Sequence, residues 1–221
     1  MEPIILSWSG GKDSVLALDR LRREPGVTVV ALLANVNATL DRVSIHGVRR
    51  ALLHAQGAAL GIPIHETLLP TNPTNDAYDS ALTQRLVQMK SLYPGVGRIA
   101  FGDLFLEDIR RYREERLPAL GLNPAFPLWG LDTAALAREF VDRGFEARLV
   151  CVDTTQLDAR FVGRAYDHTL LDELPPTVDP CGERGEFHTF VHNGPGFRAP
   201  IPVTSGEVSL SDGRFAYCDL L

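Results

Sequence analysis

The sequence predicts an α/β protein: a Rossmann-like parallel sheet with helices on both faces, followed by a smaller α+β C-terminal domain. Three observations predict it. Short apolar runs at 4–8, 27–33, 62–69 and 98–101 alternate with segments whose apolar residues recur at helical spacing. The 27–33 run is β-branched and aliphatic without polar alternation, as in a strand buried on both faces. From Pro175 onward the chain turns rich in Pro and Gly, with Asp212-Gly213 at a hairpin turn. The expected division is 1–122 and 123–221, with Asn123-Pro124-Ala125-Phe126-Pro127 at the boundary.

The elements follow in order. Ile4-Ile5-Leu6-Ser7-Trp8 reads as a strand, and Ser9-Gly10-Gly11 as a tight turn. A helix over 13–24 ends before Pro25-Gly26. After the 27–33 strand, 35–42 reads as a loop. A helix over 44–60 places Ile45, Val48, Leu52 and Ala55 on one face and stops at Gly61. The 62–69 strand leads through a loop to a helix marked by Tyr78, Leu82, Leu86 and Met89. The 98–101 strand closes on Gly102-Asp103, and the next helix covers 107–117, with Pro118 ending it. Asp132 caps a helix that ends at Gly144, and 145–152 is a strand. Residues 197–203 and the 212–213 hairpin supply short antiparallel strands.

Composition narrows the class. The 221 residues are 45% hydrophobic and 23% charged, an ordinary globular balance. A net charge of −6 argues against a nucleic-acid partner. Cys151, Cys181 and Cys218 form no CxxC pair, so reduced thiols are expected, with no zinc or disulfide framework. No apolar run approaches about 18 residues and no signal peptide is evident, so a cytoplasmic protein is expected.

Three motifs carry chemistry. The first is Ser9-Gly10-Gly11-Lys12-Asp13-Ser14, between a buried strand and a helix N-terminus. Glycines allow close backbone approach, and free N–H groups of a first helical turn bind anions. Lys12 adds charge, while Ser9 and Ser14 add hydroxyl donors. The spacing fits neither GxxxxGK[ST] nor GxGxxG, so it reads as a phosphate cradle of another kind. In parallel sheets ligands bind beyond the carboxyl ends of the strands. Residues 34–37 and Gly102-Asp103 lie at such ends and can line the same site. By contrast, Gly95-Val96-Gly97-Arg98-Ile99-Ala100 matches GxGxxA but precedes a strand, so it is set aside.

The second motif is the charge run at 110–116, which reads on periodicity as a solvated helix face with Arg110 paired to Glu114. The third is Cys181-Gly182-Glu183-Arg184-Gly185-Glu186-Phe187-His188-Thr189. Its carboxylates could bind Mg²⁺, hold an ammonium ion or act as a general base. His188 and His192 share a face if the segment is a strand, where two satisfied imidazoles or a two-His metal site both fit.

The Ser9–Ser14 stretch resembles the SGGKDS pyrophosphate loop (PP-loop) of the N-type ATP pyrophosphatases, of the adenine nucleotide alpha hydrolase-like superfamily. Gly102-Asp103, Arg110, Glu114, Leu120-Gly121-Leu122 and Leu128-Trp129 resemble the GD…R…E…LGL…LW segment of the diphthine–ammonia ligases. The 182–189 segment is similar to their GEGGEYET signature. The resemblance spans nearly the whole chain and suggests a bacterial-type member. Two positions depart: Arg184 stands for a glycine and His188 for a glutamate.

The resemblance implies an ATP-dependent amide-forming ligase that passes through an acyl-adenylate, releases pyrophosphate and uses ammonia. It implies ATP and Mg²⁺ as cofactors. Ser9, Gly10, Gly11, Lys12, Asp13 and Ser14 would hold the phosphates, with Asp13 toward the metal. Ala34, Val36, Gly102 and Asp103 would face the rest of the nucleotide. Arg110, Glu114, Trp129, Gly182, Glu183, Gly185, Glu186, His188 and Thr189 would face substrate. Lys12, Glu183, Glu186 and His188 are the expected catalytic side chains. The departures at 184 and 188 point to a carboxylate other than diphthine. A homodimer is compatible with the sequence. Two other readings stand beside the ligase: a sulfur transferase acting on tRNA, and an adenine-nucleotide-binding module without catalysis.

Overall fold

The computed structural model describes residues 1–221. The first sheet contains β1 (Glu2–Ser7), β2 (Val27–Asn37), β3 (Arg42–Val43), β4 (Ile64–Leu69), β5 (Arg98–Ala100) and β6 (Asn123–Ala125). Strands β4, β2, β1, β5 and β6 lie side by side in that order and all parallel, while the two-residue β3 joins β2 antiparallel beyond the end of β1. The expected Rossmann-like sheet is therefore present. From β1 the chain builds outward through β2 to β4, then returns to add β5 and β6 on the other side. The switch between β1 and β5 opens the crevice in which such sheets bind ligands.

Helices α1 (Lys12–Arg23) and α2 (Arg50–Leu60) cover one face, and α3 (Asn75–Leu92) and α4 (Glu107–Arg116) belong to the other. The side chains of β1 alternate accordingly. Ile4 and Leu6 join a core of 39 residues, whereas Ile5 joins a core of 10 with Leu33, Leu86, Met89 and Ile99. Helices α5 (Thr133–Asp142) and α6 (His168–Glu173) follow, with α5 capped by Asp132, whose Oδ1 accepts from the Ala135 N–H at 2.7 Å.

The second sheet is wholly antiparallel, in the order β8 (Phe187–Asn193), β7 (Glu146–Asp153), β10 (Phe215–Leu220), β9 (Ser205–Ser211). Its Val152, Phe187, Phe190 and Val191 enter the same 39-residue core as Leu16, Leu18 and Leu32. One apolar core thus runs from the first sheet into the second.

Two local expectations are corrected. The helix predicted over 44–60 begins only at Arg50. Residues 44–47 form a turn, because β3 pairs back onto β2 and the Gly47 N–H donates to the Val43 carbonyl at 3.0 Å. Ile45 consequently sits at φ 68° and is 69% exposed instead of joining a buried face. The strand predicted over 197–203 is irregular, and the hairpin partner is 205–211. The hairpin turn itself is as expected: Asp212 and Gly213 have φ 53° and 63°, the left-handed pair of a type I′ turn. The expected 35–42 loop is shorter, since β2 continues to Asn37.

Candidate active site

The glycine turn leaves β1 and enters α1 at the crevice. Gly10 has φ 79°, and a Cβ there would lie 2.6 Å from Gln56 Oε1. Gly11 is the helix N-cap and has no side chain to offer. The Thr189 hydroxyl, from β8, takes that role by accepting from the Lys12 N–H at 3.0 Å. The Ser14 hydroxyl donates to the Gly11 carbonyl at 2.8 Å, and the Gly11 N–H lies 3.3 Å from Ser9 Oγ. The N–H groups of Ser9, Gly10 and Ser14 meet no acceptor within the chain. Here the helix N-terminus has open donors, as an anion site needs.

Lys12 is buried and turned toward the C-terminal motif. Its ammonium donates to Asp13 at 2.8 Å and to the Cys181 carbonyl, beneath the rings of Phe187 and Tyr166. Burial alone would lower its pKa, but the Asp13 charge beside it holds it above the ordinary value. Burial raises Asp13 in turn.

Gly102 presses against the first turn of α1, where a Cβ would come within 2.9 Å of the Asp13 carbonyl carbon. Asp103 accepts two bonds from Arg113, at 2.7 and 3.1 Å, and that guanidinium lies 3.8 Å above the Phe101 ring. The next N–H, of Leu104, donates to Glu183 Oε1 at 2.8 Å. Glu183 therefore ties the third motif to the end of β5. Burial lifts its pKa to about 7, with the Leu104 bond opposing.

Glu186 is only 2% exposed. Its oxygens accept from the N–H groups of Asp179 and Arg184, both at 2.9 Å, so it organises the loop around Glu183. Gly182 and Gly185 have φ 66° and 83°, and a Cβ on Gly182 would strike the Phe187 carbonyl at 2.7 Å. Ala34 and Val36 are buried in β2, pointing into the large core. Arg110 pairs with Glu114 at 2.7 Å as the spacing predicts, and also lies 4.7 Å from the Trp129 ring centre and 5.2 Å from that of Phe126.

His188 packs against His46, with ring centres 4.6 Å apart and planes tilted by 34°. His46 Nδ1 donates to the Thr189 carbonyl at 3.1 Å, and its ring would touch a Cβ on Gly11 at 2.9 Å. Burial lowers His46 to about 4 and puts His188 well below the ordinary imidazole range, so both are neutral at pH 7. His192 faces Glu146 instead, 4.0 Å away. No three His, Cys, Asp or Glu side chains converge on a metal-sized site.

The expected motifs therefore meet: the glycine turn contacts Thr189, and Gly102–Leu104 contacts both α1 and Glu183. Residues 1–124 match the family model of the diphthamide synthase N-terminal domain, and 132–219 match that of its C-terminal domain. The chain belongs to the diphthamide synthase family. Its relatives there include proteins named diphthine–ammonia ligase. The zebrafish (Danio rerio) protein is 29% identical over 233 residues, spanning 94% of this chain and 89% of its own length. The Schizosaccharomyces pombe protein is 26% identical over 95% of this chain, which covers 37% of that longer protein. The human protein is 34% identical over 109 residues, 47% of this chain and 41% of its own.

Three residues of the site were not singled out from the sequence: His46, Gln56 and Arg113. Gln56 carried a signal. It lies between Leu53 and Leu60 on the buried stripe of α2, where a polar side chain needs partners. His46 carried none, since the turn bearing it reads as helix.

Proposed function

We propose that this protein is an ATP-dependent ligase that joins ammonia to a carboxylate, releasing AMP and pyrophosphate. The support is the meeting of the glycine turn, the Gly102–Leu104 segment and the 182–189 segment at the β1–β5 crevice. The N–H groups of Ser9, Gly10 and Ser14 are open there, and Glu183 accepts from the Leu104 N–H that follows Gly102-Asp103. These groups fit a triphosphate, whose charge favours a helix N-terminus. Bound ATP supplies the adenylyl group that activates the acid. The N–H groups stabilise the charge that develops on departing pyrophosphate.

Lys12 then exchanges the Cys181 carbonyl for phosphate. Asp13 is the one carboxylate at the turn, and it already faces Lys12. Magnesium would be held mainly by the phosphates, with Asp13 as its protein contact. Glu183, poised near 7, accepts the proton released as ammonia displaces AMP. Glu186 and the Gly182–Gly185 turn keep it in place. His188 and Arg184 line the acceptor side and select the carboxylate, which differs from diphthine. Cys181 is unsuited to sulfur transfer: burial raises its thiol, which donates to the Thr133 carbonyl.

The experiment is release of labelled pyrophosphate from ATP with a panel of carboxylic acids and ammonium. An acid that triggers release, and appears as its amide by mass spectrometry, supports the ligase. Binding of ATP with no turnover on any acid favours the nucleotide-binding module. ATP binding by Lys12→Ala equal to that of the parent would remove Lys12 from the phosphate site.

A further inference from the structure

Gln56 is completely buried on α2. Its Oε1 accepts from Trp8 Nε1 at 3.0 Å. Its Nε2 donates to the Gly10 carbonyl at 2.9 Å and to the Val191 carbonyl at 2.6 Å. Indole N–H is a donor only, so Trp8 leaves this amide one orientation, with both N–H groups toward the two carbonyls.

The consequence lies in the Gly10–Gly11 peptide. A trans peptide is planar, and its C=O and N–H point in opposite directions. The Gly10 carbonyl is drawn inward by Gln56 and also accepts from the Val191 N–H at 2.9 Å. The Gly11 N–H must then face outward, toward the mouth of the turn. There its present partner is Ser9 Oγ, at a long 3.3 Å.

We propose that Gln56 is the positioning residue of the pyrophosphate site: by holding the Gly10 carbonyl it aims the Gly11 N–H at the phosphates, and it locks the turn onto β8. This rests on the reading of the glycine turn as a phosphate cradle.

The test compares inorganic pyrophosphate, Mg–ATP and adenosine as ligands for the whole chain. Gln56→Glu places a carboxylate against two carbonyl oxygens, and Gln56→Leu removes the donors. Both should weaken pyrophosphate and ATP about tenfold or more, the worth of one good hydrogen bond, while adenosine binds as before. Gln56→Glu should regain pyrophosphate affinity as the pH falls from 8 to 6, because protonation of the buried carboxyl restores a donor. Unchanged pyrophosphate binding in folded variants overturns the proposal, and so does a parallel loss of adenosine. If both variants fail to fold, Gln56→Asn keeps the amide but draws it back by one methylene from the two carbonyls, and pyrophosphate binding equal to the parent overturns the proposal as well. A parent that binds neither pyrophosphate nor ATP overturns the cradle reading itself. A parent that binds both, with unaffected variants, removes Gln56 alone.

Discussion

Glu183 and Thr189 show what single residues contribute here. Glu183 is lifted to about 7 by burial, so the protonated form is favoured in the folded protein. Its stabilising effect is complete below the unfolded value near 4.5 and is lost as the pH rises through about 7. Glu183→Gln keeps an acceptor for Leu104 but carries no charge. It should raise the melting temperature at pH 8 and change it little at pH 4. It should also slow amide formation about 100-fold and abolish an inflection near pH 7 in the rate. A melting difference equal at both pH values would place the raised value elsewhere. Thr189 makes a second case. Thr189→Val keeps the shape but strands the Lys12 N–H, at a cost of about 1–3 kcal/mol, while Thr189→Ser should cost far less. Denaturant titration reads both. The legible site residues were those with a motif around them. Glu183 stood out by its glycines, although the partners that distinguish it from Glu186 appear only in the fold. Arg113 sat unnoticed in a charge run because periodicity cannot distinguish it from Arg110.

At the scale of elements, the sequence was clearest where one local rule acted alone. The strand–turn–helix at the start, the Asp132 cap and the Asp212-Gly213 hairpin each follow from a few adjacent residues. The 44–47 turn did not, because its geometry is set from far away. Tyr217, on β10, donates to the Ile45 carbonyl at 3.2 Å and fills the space where a Gly47 side chain would lie. His46 is held by Thr189 of β8. The cost is visible at Ile45, a β-branched residue at φ 68° whose side chain is mostly exposed. Ile45→Asn should therefore stabilise the protein by about 1 kcal/mol, since asparagine tolerates the left-handed region and little burial is lost. A destabilised variant would mean that the Ile45 side chain makes a contact worth more than the strain.

At the scale of the whole molecule, the glycine turn ties the two sheets together. The division at 122/123 expected from composition falls inside the first sheet, since Asn123–Ala125 pairs with β5, and the large core passes on into the second sheet. Composition reports chain style, whereas cooperativity depends on which surfaces are buried together. The C-terminal half supplies Thr189 to the Lys12 N–H, the Val191 N–H to the Gly10 carbonyl, and Glu183 to the Leu104 N–H. A fragment of residues 1–131 keeps all six strands of the first sheet yet exposes Leu16, Leu18 and the buried flank of α1. It should bind ATP at least about tenfold more weakly than the full chain and should bind a hydrophobic dye. In the full chain, Phe140→Ala should cost about 3–5 kcal/mol, since that ring is fully buried, stacks on Phe145 and meets Tyr166 edge to face. The loss should shift a single unfolding transition, with tryptophan fluorescence and far-ultraviolet circular dichroism moving together. Trp8 and Trp129 lie outside the second sheet, so their fluorescence reports the first half while Phe140 perturbs the second. Two separated transitions, with only the later part of the chain destabilised, would show that the common core does not couple the halves.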